Sequence, residues 1–152
     1  MQKLLKLLEA YQPSDSNELA VYQHMLTVAH NEPRCLYRDS FPAHFTASAW
    51  VVNHDNTKVL LMHHRKLDIW LQPGGHCDGN DDVIKVARRE VFEETGLSLL
   101  EQVDSGIFDI DQHDIPAHRD EPAHQHLDIR FWLRYHGSED DIQPNEESKE
   151  LR

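Results

Sequence analysis

Cysteine and long apolar runs are both scarce in this sequence. Its 152 residues include 2 cysteines, Cys35 and Cys77, which have no spacing typical of metal ligands and form no disulfide framework. Near the start, Lys6 and Glu9 interrupt the apolar residues. That stretch is too broken for the core of a signal peptide and too short to cross a bilayer. These features argue against a membrane protein and favour a cytoplasmic one with unpaired thiols.

Positive charge is also scarce. The chain has 15 basic residues against 27 acidic ones, which gives a formal net charge of −12. A field of this sign repels a polyphosphate backbone, and no basic stripe offsets it, so we expect no nucleic-acid partner. A small phosphate ester can still bind where divalent cations screen its charge.

The length and composition predict one folded domain. A chain of 152 residues buries roughly 68–70% of its unfolded surface, and this size is typical of a single domain. Apolar residues make up 39% and charged residues 28%, which does not indicate disorder. A chain of this size can form a hydrophobic core without structural zinc or disulfides.

Two amphipathic helices are predicted at the N-terminus. Leu4 and Leu8 recur at helical spacing, and Pro13 ends the first helix. Asp15 is placed to cap a second helix. We expect residues 1–40 to form a helical extension that packs on the core or on a second subunit, and a homodimer is therefore one arrangement left open.

The rest of the chain mixes strand and helix patterns. Alternating β-branched and aromatic residues predict strands, and an apolar stripe that ends at Gly96 predicts a helix. The predicted elements are strands at 45–52 and 58–64 paired as a hairpin, a break at 72–75, a helix at 82–95, strands at 107–110 and 124–135, a loop at 112–122 and a mostly looped tail at 137–152.

Three glutamates share one side of the predicted helix at 82–95. At about 100° per residue, Glu90, Glu93 and Glu94 fall within one arc of ~100° beside the apolar stripe. Glu90 and Glu94 repel each other by ~0.2–0.5 kcal/mol, so stability does not account for the arrangement. A hard divalent cation accounts for it, because such ions take oxygen ligands. The alternative is a solvated acidic face paired with Arg88 and Arg89.

A longer pattern of fixed positions contains this helix. Gly75 is followed after five residues by Asp81, and after seven more by the run Arg89-Glu90-Val91-Phe92-Glu93-Glu94-Thr95-Gly96-Leu97. The pattern resembles the signature of the Nudix hydrolases, in which a Gly, a Glu, an Arg-Glu, a Glu-Glu and a Gly stand at these offsets. Asp81 departs from it, because the family has Glu there and the Asp side chain is one methylene shorter.

This resemblance implies a fold and a reaction. The implied fold is of the α/β class, a Nudix-type α/β/α sandwich with a mixed sheet over residues 41–152, here preceded by the helical extension. The end of the chain resembles the approach to the family's last strand and closing helix, which leaves a C-terminal truncation open. The implied reaction is the hydrolysis, dependent on Mg²⁺ or Mn²⁺, of a diphosphate linkage in a nucleoside diphosphate derivative, by water attack on phosphorus.

Roles for individual residues follow from the same resemblance. A backbone carbonyl of the glycine pair completes the cation site, and the loop before the last long strand is a source of a general base. The implied cation ligands are Glu90, Glu94, Glu93 and the Gly75 carbonyl, with Glu93 also able to activate water, Arg89 orienting Glu90, and Glu121 as the loop candidate for the base.

The predicted strand at 124–135 alternates strictly between apolar and polar residues. Its polar face either lines a substrate cleft, through His126, Arg130 and Trp132, or faces solvent. A second metal held by His124, His126 and Asp128 is a weaker alternative.

Two other functions fit a fold of this kind. One is a binding module that senses a nucleotide without cleaving it, but such a sensor has no need of the glutamates and Arg89 together. The other is an isomerase of prenyl diphosphates, for which no supporting cysteine and glutamate pair is present. The substrate itself cannot be read from the sequence.

Overall fold

The computed structural model describes residues 1–65, 68–146 and 148–152. It shows a mixed sheet with helices packed against it. The elements are α1 (Gln2–Ala10), α2 (Ser16–Asn31), β1 (Ala43–Val52), β2 (Met62–His64), β3 (Ile69–Leu71), β4 (Gly74–His76), α3 (Val83–Thr95), β5 (Leu100–Gln102), β6 (Asp109–Ile115), β7 (His124–Tyr135), a 3₁₀ turn (Glu139–Asp141) and β8 (Ser148–Leu151).

The central sheet is built on two long parallel strands. β1 and β7 pair in parallel from Ala43 opposite Gln125 to Val52 opposite Arg134. β4 pairs antiparallel with the other edge of β1, while β5 and β6 pair antiparallel with β7. A second, small sheet has the order β3-β2-β8. The predicted mixed sheet with helices is confirmed.

Alternation along β1 and β7 separates an apolar face from a polar one. The apolar residues Phe45, Ala47, Ala49, Val51, Leu127, Ile129, Phe131 and Leu133 are all buried. They form one cluster with Val83, Val86, Ala87 and Val91 of α3. The positions between them are polar, and they include the buried Thr46, Ser48 and Asp128.

Both N-terminal helices form as predicted and pack on this core. Leu4 and Leu8 of α1 are fully buried in the same cluster. Asp15 caps α2 by accepting hydrogen bonds from the backbone N–H groups of Asn17 and Glu18, at 2.8 and 2.9 Å. Of the two packing arrangements that the sequence left open, the structure has the one on the chain's own core.

The predicted hairpin between residues 45–52 and 58–64 forms only next to its turn. β4 pairs with β1 at Thr46–Ser48, and beyond it the following segment bridges Val52 through Val59, with a backbone hydrogen bond from Leu60 to Val51 at 2.8 Å. Only its last three residues form a strand, β2, which pairs with β3 and β8.

Three predicted irregular regions contain strands. The break at 72–75 holds β4, the loop at 112–122 begins with the end of β6, and the tail holds β8. Glu147, within the predicted tail loop, lies outside the described residues. Cys35 and Cys77 are buried and unpaired. Within the described ranges, no helix combines the length and the apolar character needed to span a membrane.

Candidate metal and phosphate site

The strand β4 and the helix α3 bring a glycine pair against two carboxylates. The Gly74 N–H donates a hydrogen bond to Glu94 Oε2 at 3.1 Å, and the Glu94 side chain is 6% exposed. A Cβ atom at Gly75 would lie 2.6 Å from Glu90 Oε2, so only glycine leaves room for that carboxylate. The glycine pair therefore packs directly on both glutamates, as the motif implied.

Arg89 fixes the position of Glu90. Its Nη2 donates to Glu90 Oε1 at 2.5 Å and to the backbone carbonyl of His76 at 2.8 Å. Its Nε lies 3.8 Å from Glu93 Oε1. The side chain of Glu93 is 56% exposed, against 13% for Glu90. Glu90 is thus oriented and largely buried, while Glu93 is free to meet water at the rim.

The electrostatics of this cluster suit a cation. Burial raises the pKa of Glu90, although the hydrogen bond from Arg89 opposes that rise. Arg89 offsets part of the negative charge of these glutamates, and a bound cation would offset more of it. Carboxylate oxygens are ligands that Mg²⁺ and Mn²⁺ prefer. The residues present therefore fit a divalent cation.

Asp81 turns away from this cluster. It accepts a hydrogen bond from the Lys3 backbone N–H at 3.2 Å and also contacts the amino group of Met1. The hydrogen bond from that amino group lowers the pKa of Asp81. The residue that departs from the motif thus joins α1 to the loop before α3.

Arg38 lies beside the carboxylates and was not singled out from the sequence. It binds Asp78 through two hydrogen bonds, from Nε at 2.9 Å and from Nη2 at 2.8 Å. That pairing raises its pKa, and the charges of Glu90 and Glu121 add to the effect. Arg38 is therefore an exposed cation that interacts with Asp78, Glu90 and Glu121. These residues lie far from it in the sequence, so no local pattern links them to it.

Glu121 lies in an exposed loop near Arg38. The backbone groups of His118 and Glu121 exchange hydrogen bonds at 3.0 and 3.1 Å, which closes a tight turn. The Glu121 side chain is exposed, and its charge acts on Arg38 and on His44. Glu121 is therefore exposed to water, and its role as the base stays a prediction.

Arg130 is held within the polar face of the sheet. Its guanidinium contacts Asp109 and lies 3.6 Å from Asp128 and 3.9 Å from Asp111. Asp128 in turn accepts hydrogen bonds from Thr46 at 2.9 Å and Ser48 at 2.5 Å. The predicted second metal site that includes Asp128 is therefore disfavoured, because that carboxylate is already fully engaged.

The other two predicted substrate residues also have partners. The ring of Trp132 packs on Phe108 with centroids 5.4 Å apart. His126 lies among His44, His76 and His124, with ring centroids 4.8, 5.1 and 5.1 Å away. The sequence pointed to His124 and His126, while His44 and His76 come from β1 and β4, far away in the chain.

A separate cleft of about 600 Å³ lies between the N-terminal helices and the start of β6. Tyr11, Glu18 and Asp109 line it, and none of the α3 glutamates does. Its position gives it no link to the carboxylate site.

The chain is similar to known proteins in sequence and in structure. Residues 42–152 match the family described as the NUDIX domain. A stretch of 49 residues is 43% identical to nucleoside diphosphate-linked moiety X motif 6 of Xenopus laevis, and it covers 31% of this chain but only 23% of that protein.

Solved structures share the fold. A hydrolase of the NUDIX family from Clostridium perfringens has 28% identity and a TM-score of 0.52, with 72% of this chain and 79% of that chain covered. The dihydroneopterin triphosphate pyrophosphohydrolase of E. coli has 20% identity and a TM-score of 0.58, with 71% and 77% covered. At that identity the second likeness concerns the fold alone.

Proposed function

The chain belongs to the Nudix family, and on that premise we propose that it is a pyrophosphohydrolase that uses Mg²⁺ or Mn²⁺ to cleave a nucleoside diphosphate derivative. The observation that carries the proposal is the packing of β4 on α3, which sets Gly75 against the carboxylate of Glu90 and Gly74 against that of Glu94. A sensor that only binds nucleotides has no need of this arrangement, because binding does not require buried carboxylates beside a glycine backbone.

Glu90 and Glu94 would hold the cation, with Glu93 and the Gly75 carbonyl as further ligands. When bound, a divalent cation neutralises charge on phosphoryl oxygens and lowers the pKa of a coordinated water. Arg89 keeps the Glu90 carboxylate facing Gly75 through its bond to Glu90 Oε1. The carboxylates are therefore positioned before any ligand arrives, which lowers the cost of reorganisation.

The reaction breaks a phosphorus–oxygen bond of the diphosphate as water attacks one phosphorus. The proton of that water passes to a carboxylate, and Glu93 and Glu121 are the two candidates for this base. Both are exposed enough to meet water. Arg38 is exposed and is influenced by the charges of both Glu90 and Glu121, which makes it a candidate to contact a substrate phosphate.

The proposal also covers substrate, partners and location. A small nucleotide suits a chain with a net charge of −12, whereas a nucleic acid does not. A substrate role for His126, Arg130 and Trp132 stays a prediction, because these side chains already have partners within the fold. We propose a cytoplasmic protein, and a homodimer stays a prediction that measurement of the mass in solution would test.

The test is a panel of nucleoside diphosphate derivatives incubated with Mg²⁺ or Mn²⁺, with products identified by mass. The purified protein should release a nucleoside monophosphate or a related phosphate from at least one of them. Glu90→Gln and Glu94→Gln should each lower turnover at least about a hundredfold, or about 2.7 kcal/mol of barrier, while thermal unfolding shows an intact fold. Lys85→Gln, on the exposed side of α3, is the matched control.

Two results would contradict the proposal. Near-native turnover of either glutamate variant at saturating Mg²⁺ would show that the cation is held elsewhere. Nucleotide binding without turnover across the whole panel would favour the sensor instead.

A further inference from the structure

Four histidines meet at one end of the parallel pair of strands. His44 begins β1, His76 ends β4, and His124 and His126 begin β7. The ring centroids of His44 lie 5.0 Å from those of His124 and 4.8 Å from those of His126. The proposed hydrolysis makes no use of this group, which here is called the histidine cluster.

Two of these rings are held in the tautomer that a metal ligand needs. His44 Nδ1 lies 3.1 Å from the Ser40 carbonyl, and His124 Nδ1 lies 2.8 Å from the Pro122 carbonyl. A carbonyl only accepts, so both Nδ1 atoms carry the proton and both Nε2 atoms keep a lone pair. Metal-binding histidines commonly make this bond through the ring nitrogen that does not bind the metal.

One of the free nitrogens is buried without a partner. The His44 side chain is 1% exposed, and its Nε2 has no hydrogen bond among the described residues. Leaving a buried polar atom without a hydrogen bond destabilises the folded state. Packing does not satisfy the lone pair of His44 Nε2, whereas an ion bound in the cluster would.

The spacing of the nitrogens suits a tetrahedral ion. His126 Nε2 donates a hydrogen bond to His124 Nε2 at 3.3 Å, a bond that a shared metal ion would replace, and one nitrogen from each of His44, His124 and His126 lies within 4.8 Å of the others. Two ligands at about 2.0–2.1 Å from a tetrahedral zinc are separated by about 3.4 Å. Two of the ligands already have that separation, and the third needs only a modest side-chain movement.

We propose that His44, His124 and His126 bind one Zn²⁺ ion, at a site distinct from the carboxylates of α3. Neutral imidazole nitrogens favour zinc over Mg²⁺ or Mn²⁺, which prefer oxygen. Three histidines leave a fourth position for water or for the neighbouring His76.

The charges around the cluster permit a cation. The positive charge of Arg38 acts on His44, and Asp78 offsets that charge through two hydrogen bonds with Arg38. Glu121 contributes negative charge close to His44. Burial lowers the pKa of His44 and lowers that of His126 to about 3. Burial thus favours the neutral, metal-binding form of the His44 and His126 rings.

The experiment uses the full chain, stripped of metal with a chelator. Zn²⁺ is titrated in competition with a chromophoric chelator, with Mg²⁺ in excess to fill the carboxylate site. We expect one Zn²⁺ per chain. Co²⁺ in its place should give the intense visible bands of tetrahedral nitrogen coordination.

Variants locate the ion. His44→Ala and His126→Gln should each weaken Zn²⁺ binding at least about tenfold to a hundredfold, the loss seen when even an outer partner of a metal ligand is removed. His30→Ala, an exposed histidine of α2, should bind as the unchanged protein does. Glu90→Gln should also retain the site, so a failure of the proposed hydrolysis leaves this result unaffected. Circular dichroism and thermal unfolding confirm that each variant is folded.

Three outcomes would overturn the proposal. One is the absence of stoichiometric Zn²⁺ binding when Mg²⁺ is in excess. Another is loss of Zn²⁺ in Glu90→Gln but not in the folded histidine variants, which would place the ion on α3. The third is the weak Co²⁺ spectrum of octahedral oxygen coordination.

Discussion

Gly74 and Gly75 are neighbours in sequence but perform different tasks. A Cβ at Gly75 would meet the carboxylate of Glu90, with Oε2 at 2.6 Å. Gly75→Ala should therefore displace that carboxylate and lower kcat/KM at least about tenfold, or about 1.4 kcal/mol. Because the clash is with the end of a flexible side chain, the free energy of unfolding should change little. Steady-state kinetics and urea denaturation measure the two effects.

Gly74→Ala is the matched comparison. Its Cβ would lie 2.5 Å from Ser48 Cβ and 2.7 Å from Ser48 Cα, and a backbone cannot give way as a side chain does. We expect this variant to lose about 1–3 kcal/mol of stability, as overpacked sites do. If the two variants lost equal stability, Gly75 would not have the specific task of leaving room for the Glu90 carboxylate.

The contacts of Arg130 with aspartates of the fold predict a role in stability. Its side chain is 13% exposed and lies near three aspartates, of which Asp128 is 4% exposed. Arg130→Ala should lower the free energy of unfolding by about 3–5 kcal/mol, because it leaves a buried carboxylate without its cation. Urea denaturation monitored by circular dichroism measures the change.

Arg134 provides the control for that variant. It lies on the same face of β7, and it pairs with Glu101 at 3.3 Å on a more exposed part of the strand. Arg134→Ala should cost about 0–1 kcal/mol, as exposed pairs do. A similar loss in both variants, together with a raised KM in Arg130→Ala, would support the substrate role predicted from the sequence.

Helix α3 was the most predictable element, and β4 was among the least. The apolar stripe and Gly96 define α3 locally, and Gly96 does adopt the left-handed conformation that ends a helix, with φ of 77°. In β4, by contrast, the sequence Gly-Gly-His forms a strand directly after Pro73, because it pairs with the edge of β1. Local propensity indicated a break there, and pairing with a distant segment overrode it.

In the candidate site, too, residues within one helix could be predicted, and residues placed by distant pairing could not. The glutamates and Arg89 are found from spacing within one helix. Arg38 and His44 are not, because they reach the site through the segment before β1 and the parallel pairing of β1 with β7. Neither relation leaves a periodic pattern in the sequence. The role of Asp81 was equally hidden, since its partner is the start of α1.

Helix α1 belongs energetically to the core rather than to a loose extension. Leu8 is fully buried in the same cluster as the apolar face of β1. Leu8→Ala should therefore cost about 2–5 kcal/mol, as buried leucines do, and unfolding should stay one cooperative transition. Lys6→Ala, on the exposed face of α1, should change stability by less than about 0.5 kcal/mol. A negligible loss in Leu8→Ala would mean that α1 is not part of the folded core.

The net charge of −12 gives the protein two separate responses to cations. Any salt relieves the mutual repulsion of the acidic side chains, so NaCl should raise the Tm modestly by screening. Mg²⁺ should raise it further, because an ion held by the folded state adds RT ln(1 + [L]/Kd), about 2.7 kcal/mol at a hundred times Kd. The comparison must therefore be made at matched ionic strength, by thermal unfolding of zinc-free protein.

The carboxylate variants separate these two responses. Glu90→Gln and Glu94→Gln each remove one charge of the total, which barely alters the screening by NaCl. Each also removes a proposed ligand, so the extra stabilisation by Mg²⁺ should disappear. If Mg²⁺ at matched ionic strength stabilises the unchanged protein no more than NaCl does, the buried glutamates hold no cation in the free protein. If the extra stabilisation survives in both variants, the ion binds elsewhere on the acidic surface.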